Sequence, residues 1–450
     1  MNVVPSGKCI ILVLILEILS VHGLPPKFLN IAVIGAGPSG LASAKNSLEQ
    51  GHNVVVYEKG EALGGTWWYT DKTGKDEYGV DIHSAMYQGL RIDIPHQNMQ
   101  LSVDHKFPNN TRSYPSYEDV WKYLNSYADR FDVKRHIKFH HLVDKVRLIE
   151  NNKWNITVKN LPKNKTESLT FDVVFICINQ YSSPNYPEFE GANEFKGKII
   201  HSHDYRRAED FRGADVLVVG GGPSGRDLIL QLSKVANRIT WSRRTYSETG
   251  EMRKKYGDNV TFKKNLKRFT SNGADFMDDT HQNFTAVIYG TGYKYRYPFL
   301  DDDSGIHVDN NKKYVQPLYK QIINIEHPSM AFIGIPYNPL LLALDLQARF
   351  ALKFFSGAKE LPSKSEMLKD MQDYANSQQK KGAQLNFILF NDYKEYFESV
   401  ARAADVEKIL DVYISMVMDA AKAIHADPLG FREYKYTIID DETFIKEREV

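Results

Sequence analysis

Two glycine-rich turns, about 185 residues apart, constrain this chain more than any other feature. The first reads Gly35-Ala36-Gly37-Pro38-Ser39-Gly40 and follows the apolar run Ile31-Ala32-Val33-Ile34. The second reads Gly220-Gly221-Gly222-Pro223-Ser224-Gly225 and follows Val216-Leu217-Val218-Val219. Each leaves a buried-strand pattern and enters a helical one, over Leu41 to Glu49 and Asp227 to Lys234. In that setting the first glycine allows a tight turn and the second lets a pyrophosphate approach the backbone. The third lets helix pack on strand, and the helix N-terminus faces the phosphates. Two such turns predict an α/β chain with two Rossmann-like dinucleotide-binding domains. Two dinucleotides in one chain imply electron transfer between them.

The strands that follow separate the two sites. Asn53 to Tyr57 ends in Glu58, about where a carboxylate binds a ribose 2′-hydroxyl and repels a 2′-phosphate; this site suits FAD or NAD. The second, Arg238 to Ser242, ends in Arg243 and Arg244, whose guanidinium forks suit the 2′-phosphate of NADPH. The alternative is a solvated strand end at Glu58 and a surface charge pair at the arginines.

Length adds that two to three domains are expected. An apolar fraction of 42%, a formal charge of +1 and a pI near 7.7 give large cores and no electrostatic case for nucleic acid or an anionic membrane. At the N-terminus, Lys8 precedes the apolar stretch Cys9 to Leu19, and Val21-His22-Gly23 supplies a cleavage-like site. Residues 1–23 resemble a secretory signal peptide, with an uncleaved membrane anchor as the alternative. No other segment is apolar and long enough for an anchor. Secretion would leave Cys177 as the one mature cysteine, unable to form an internal disulfide and best read as a small buried hydrophobe. Glycosylation acceptors stand at Asn109, Asn155, Asn164, Asn259 and Asn283, with Asn164 best placed in a polar, hairpin-like stretch.

The expected organisation is a first unit over 24–185, a nucleotide unit over 190–288 and a return to the first unit with a helical tail over 289–450. Tyr117 to Phe131 reads as an amphipathic helix with Val120, Trp121, Leu124 and Tyr127 on one face. Lys145 to Ile149, Trp154 to Val158 and Phe171 to Ile178 read as strands, with a turn at Asn151-Asn152. Helices are expected at Met367 to Ala375 and Glu407 to Ala421. No Cys-x-x-Cys, His-x-x-x-His or Ser–His–Asp grouping stands out, so no metal is expected, and His201 and His203 read as structural. A flavin disulfide reductase would need a redox dithiol that one mature cysteine cannot supply. An amine oxidase would carry one such turn.

Further motifs are more specific. Gly64-Gly65-Thr66-Trp67 follows Glu58, and Phe195-Lys196-Gly197-Lys198-Ile199-Ile200-His201-Ser202-His203-Asp204-Tyr205 fits F-x-G-x-x-x-H-x-x-x-[FYW]. Gly290-Thr291-Gly292-Tyr293, Pro317-Leu318-Tyr319-Lys320 and Phe332-Ile333-Gly334-Ile335-Pro336 come in the same order as in the class B flavin-containing monooxygenases, which the chain resembles over nearly its whole mature length. The resemblance implies that the NADPH domain is inserted in the FAD domain. It implies FAD on Gly35, Gly37, Pro38, Ser39, Gly40 and Glu58, with Gly65, Thr66, Trp67 and Ile92 near the flavin. It implies NADPH on Gly220, Gly222, Pro223, Ser224, Gly225, Arg243 and Arg244. Hydride from NADPH, oxygen bound as a flavin C4a-hydroperoxide and a soft nucleophile, a tertiary amine or a thioether, complete the implied reaction. Arg206 after Tyr205 favours heteroatom oxidation over Baeyer–Villiger chemistry. A secreted member resembles insect enzymes that N-oxidise pyrrolizidine alkaloids.

Two departures stand against the resemblance. Where the family carries Thr-Asn, this chain carries Ile92-Asp93, so Asp93 takes the catalytic amide's place, and a carboxylate cannot donate a hydrogen bond unless protonated. A secreted FAD- or alkaloid-binding flavoprotein with weak or lost oxygenation is the rival that Asp93 keeps open. The second departure is Asn179 in place of a usual glycine, expected to serve because Asn tolerates left-handed backbone.

Overall fold

In a computed structural model of the chain, residues 27–244, 255–335, 340–380 and 393–448 are described. The signal-peptide expectation for residues 1–23 lies outside them. The described residues build two parallel-cored sheets, and the order of their strands in the chain decides the architecture. The first sheet runs Leu318–Tyr319, Ile323–Asn324, Met330–Phe332, Val173–Ile176, Asn30–Ile34, Asn53–Tyr57 and Ile137–Lys138. The second runs Val260–Lys263, Arg238–Ser242, Asp215–Val219, Ala286–Tyr289 and Lys198–His201, parallel throughout. Strands of the first sheet flank those of the second in sequence, so the second unit is inserted in the first.

Both glycine turns sit at the carboxyl end of a central strand. Asn30–Ile34 has neighbours on both sides, Asn53–Tyr57 and Val173–Ile176, and Ile31, Ala32 and Val33 are fully buried. That two-sided burial is why the run is apolar without alternation. The chain then enters the helix Pro38–Glu49, with proline in its first turn where no N–H is missed. Ser39 to Ser47 are buried without a break because the helix Leu342–Phe355 covers the outer side, tied by Asn46 Nδ2 donating to Asp345 Oδ1 at 2.7 Å. The hydroxyls of Ser43 and Ser47 are satisfied by the carbonyls four residues back.

Several expectations change in detail. Phe171 to Ile178 is not one strand. Lys165–Phe171 closes an antiparallel meander with His141–Ile149 and Lys153–Asn160, while Val173–Ile176 joins the first sheet. Asp172 makes the break: its backbone N–H donates to Asn30 O at 2.9 Å, and its carboxylate accepts from Asn30 N at 2.8 Å. Tyr117–Arg130 is the amphipathic helix, capped reciprocally by Ser116 and Asp119. Its buried face carries Val120, Tyr123, Leu124, Tyr127 and Ala128; Trp121 is half-buried and donates to Leu63 O. Asn179 takes φ −88°, ψ 172°, an extended conformation open to any residue, so its tolerance of left-handed backbone is not what matters. It serves instead as the cap of the turn Gln180–Ser182.

The tail is helical over Lys364–Lys380, Tyr393–Ala404 and Asp411–Ala426, the last starting and ending later than expected from Glu407 to Ala421. It then returns as an antiparallel hairpin, Tyr434–Ile438 with Phe444–Arg448. That return brings residues near 432 back to the loop at 91–93.

Candidate functional site

The first turn is held shut by contacts that exclude side chains. Gly35 adopts φ +102°, and a Cβ on Gly40 would lie 1.8 Å from the Gly35 carbonyl oxygen. Gly64 (φ +112°) meets the Trp121 indole, and a Cβ on Gly65 would stand 3.1 Å from the Gly37 Cα. The two glycine motifs of the first unit therefore pack against each other backbone to backbone. Glu58 is fixed as well: Oε2 accepts from Ala36 N at 2.9 Å and Oε1 from Gly60 N at 2.8 Å. Each carboxylate oxygen keeps a second lone pair for a hydroxyl.

The second turn repeats the plan. Gly220 has φ +124°, and a Cβ there would come within 2.2 Å of the Gly290 carbonyl oxygen; on Gly225 it would meet Gly220 O at 2.4 Å. Gly222, by contrast, has nothing among the described residues within 4 Å of its absent Cβ. Open space above the second glycine is what close approach of a pyrophosphate requires. Arg243 arches over this loop, with its guanidinium carbon 4.4 Å from the Trp241 ring centre and its stem 3.4 Å from where a Gly221 Cβ would be. Arg244 is exposed.

A cavity of about 1300 Å³ joins the two units. Pockets for one small molecule span roughly 300–1,000 Å³. Among the sequence-derived site residues, Gly35, Gly37, Pro38, Ser39, Glu58, Gly65, Thr66, Trp67, Ile92 and Asp93 line it from the first unit, and Pro223 and Ser224 from the second. Gly40, Gly220, Gly222, Gly225, Arg243 and Arg244 do not; the glycines shape the turns, and the arginines lie beyond the second turn.

Asp93 lies in this cavity at the centre of an ion-pair network that the sequence did not reveal. Its Oδ2 accepts from Arg226 Nη2 at 2.8 Å and its Oδ1 from Arg432 Nη2 at 2.5 Å. Arg432 Nη1 also donates to Asp227 Oδ1 at 2.9 Å, and the Tyr87 hydroxyl donates to Asp227 Oδ2 at 2.7 Å. Burial pushes the Asp93 carboxyl above its ordinary value while Arg432 and Arg226 pull it back, leaving a net upward displacement. Burial and the adjacent Asp227 hold the Tyr87 phenol well above its ordinary value. Both oxygens of Asp93 are thus engaged by guanidiniums. Arg226 stands directly after the second glycine turn, which was the one available clue to it. Arg432 is 339 residues from Asp93 and carried none.

The histidines of the long motif are structural and buried. His201 Nδ1 accepts from the His203 backbone N–H at 3.0 Å, and His203 Nδ1 bonds Asp204 Oδ1 at 2.8 Å. Arg206 is buried and donates to the carbonyls of His203, Tyr205 and Lys72, stitching the second unit to the cavity rim.

Comparison with known proteins agrees with this arrangement. The flavin-binding monooxygenase-like family matches residues 29–257 and 253–436. The chain is 36% identical over 423 residues to a senecionine N-oxygenase of Tyria jacobaeae, covering 93% of this chain and 91% of that one. It is 30% identical to a trimethylamine monooxygenase of Methylocella silvestris, covering 91% and 92%. Among solved structures, the S-allyl-L-cysteine S-oxygenase of Allium sativum superposes with a TM-score of 0.85 at 26% identity, covering 92% of this chain and 96% of that one. The chain belongs to the flavin-binding monooxygenase family.

This monooxygenase uses FAD and NADPH, and its residues fit both. The Thr66 hydroxyl is buried with no hydrogen-bond partner among the described residues, as expected of a group that waits for a ligand. Glu58 offers acceptors where the FAD ribose would lie, and the open cradle at Gly222 admits the NADPH pyrophosphate. Bound FAD supplies oxygen activation and NADPH the hydride. The chain contributes the rest. The two turns aim helix N-termini at phosphates. Trp67, Ile92, Met99 and Leu344 contribute apolar lining to the cavity that would hold the reacting groups. The Asp93 network holds the two units in register across the cavity.

Proposed function

We propose that this monooxygenase N-oxygenates tertiary-amine alkaloids of the pyrrolizidine type, and that it does so outside the cell. The observation that carries the substrate reading is the 36% identity to a senecionine N-oxygenase across 93% of the chain. The reaction balances as R₃N + O₂ + NADPH + H⁺ giving R₃N–O, water and NADP⁺. The amine lone pair forms the new N–O bond, and the second oxygen leaves as water with the two electrons of NADPH. Soft, polarisable nitrogen or sulfur is the class of centre that the family oxygenates. Arg206, buried where a Baeyer–Villiger type would carry proline or aspartate, supports heteroatom chemistry.

The extracellular reading rests on the signal-like residues 1–23 and on acceptor placement. Asn109 and Asn164 are exposed, and Asn164 sits at φ +47° in the turn between two strands of the meander. Asn259 is a poor acceptor because its amide donates to Ser233 O and Ala236 O. Among the described residues, no helix is long and apolar enough to cross a membrane.

The test supplies purified, FAD-loaded protein with NADPH, oxygen and either senecionine or a thioether, and reads products by mass spectrometry. N-oxide formation coupled to NADPH use is expected. S-oxide alone would reassign the substrate class, and neither product would sink the reading. Expression in insect cells checks the compartment: the protein is expected in the medium, beginning near Leu24, with glycan on Asn164 and none on Asn259.

A further inference from the structure

Asp93 binds two guanidiniums, and the two are used differently. Arg432 is spent on the protein. Its Nε donates to Ile92 O at 3.2 Å, its Nη1 to Asp227, and its Nη2 to Arg91 O at 2.9 Å as well as to Asp93. The Arg226 side chain makes a single hydrogen bond among the described residues, from Nη2 to Asp93 Oδ2. A guanidinium carries five N–H donors in a fixed fork, so most of its donors remain for something else. Its Nε and Nη1 are absent from the sealed, unsatisfied groups of the core, and the side chain lines the large cavity with 18% of its surface exposed.

Placement defines what those donors face. Arg226 is in the first turn of Pro223–Leu232, the helix that begins at the second glycine turn. The carboxylate that grips it comes from the opposite unit, and the Phe431 ring lies 5.8 Å from its guanidinium carbon. Gripped at one nitrogen and backed by a ring, the fork has little freedom to turn away. The charge balance is also informative. Asp93 and Asp227 balance Arg432 and Arg226, so the cluster is neutral, and what Arg226 offers a ligand is its free donors rather than a surplus of charge.

We propose that Arg226 is a binding residue for the nicotinamide dinucleotide, donating charge-assisted hydrogen bonds to an oxygen of NADP(H) where the two cofactor sites meet. Asp93 is its positioning residue, aiming the fork from the flavin side. This rests on the reading that the Gly220–Gly225 turn takes NADPH. It also gives Asp93 a task suited to an acceptor: the carboxylate does not contact the reacting group as a donor but sets the donor that does.

The test needs no turnover. Full-length, FAD-loaded protein is titrated calorimetrically with NADP⁺, and FAD content and melting temperature are recorded for each variant. Arg226→Ala and Arg226→Gln are expected to weaken NADP⁺ by about 10- to 100-fold, the scale of a hydrogen bond to a charged group, with FAD content unchanged. Arg226→Gln keeps side-chain volume, so it decides the matter if the alanine variant folds poorly. Asp93→Asn separates positioning from charge. Removing a carboxylate near an anionic ligand should by charge alone tighten NADP⁺, whereas loss of aim should weaken it. The double variant should then bind no more weakly than Arg226→Ala, as expected for two residues acting as one unit.

NADP⁺ affinity within about twofold of the parent in both Arg226 variants overturns the proposal. Tighter binding in Asp93→Asn overturns the positioning role. A parent protein that binds FAD but no NADP⁺ removes the reading underneath, and the proposal with it.

Discussion

Gly222→Ala offers a sharp separation of folding from cofactor binding, because the glycines of one turn do different jobs. At Gly222 the backbone lies at φ −76°, ψ −176°, which alanine adopts freely, and nothing among the described residues is within 4 Å of the new methyl group. Replacing glycine restricts the unfolded chain and stabilises by about 0.4–1 kcal/mol. Losing glycine from the helix cap costs roughly 0.5–1 kcal/mol. The two offset, so the melting temperature should hardly move. Gly220→Ala is the control. There φ is +124° and the methyl group would be 2.2 Å from the Gly290 carbonyl oxygen. Backbone strain alone costs about 1–3 kcal/mol, and the overlap adds to it.

The expected pattern follows from those numbers. Gly220→Ala melts earlier. Gly222→Ala melts with the parent and keeps its FAD, yet binds NADP⁺ about 10- to 100-fold more weakly, since its methyl group fills the space through which the pyrophosphate reaches backbone N–H donors worth about 1.5–3 kcal/mol each. Calorimetric titration with NADP⁺ beside a thermal melt reads both quantities. If Gly222→Ala is destabilised like Gly220→Ala, or if it binds NADP⁺ like the parent, the assignment of the open cradle to the cofactor is wrong.

Three further outcomes are expected. Gly40→Ala, whose methyl group would sit 1.8 Å from the Gly35 oxygen, should yield protein without FAD; a full complement of FAD per chain would contradict the turn's geometry. The Cys177 thiol, buried beside Ser43 and pushed up to about 12, should resist alkylation in the native protein. After denaturation one thiol should react if the chain begins near Leu24, and two if Cys9 is retained. Burial first, then the neighbouring charges of Lys59 and His203, depress His83 to about 3, and burial depresses His201 to about 4. Both bind protons more readily unfolded, so stability should fall as pH drops from about 6.5 toward 4 and be regained above it. Melting curves across that range should show a shallower slope in His83→Gln.

The parts of the site legible in the sequence share one property: their physics is local. A strand, a turn demanding positive φ at Gly35 or Gly220 and a helix with proline in its first turn all lie within about twenty residues. Glu58 was legible for the same reason, one strand further on, and it lines the cavity; Arg243 and Arg244 were picked by the same rule but lie outside it. The helix Leu342–Phe355 was missed because it is buried nearly all round, so its sequence shows no single apolar face. Lys165–Phe171 was missed for the opposite reason: it is mostly exposed and lacks the alternation of a half-buried strand.

By itself, then, the sequence determined two dinucleotide turns and their cofactor preference, because steric demands on glycine and strand–turn–helix order are written within short windows; the insertion of one unit in the other was implied by the family resemblance and not by those windows. The sequence also marked Asp93 as a departure, but it could not say what a carboxylate does there. Only the tertiary structure decided that, by folding the segment at Arg432 back across 339 residues and bringing the first turn of the second unit's helix against the loop of the first. The approach of groups so far apart in the chain is set by the packing of whole elements, and no local rule of spacing or propensity contains it.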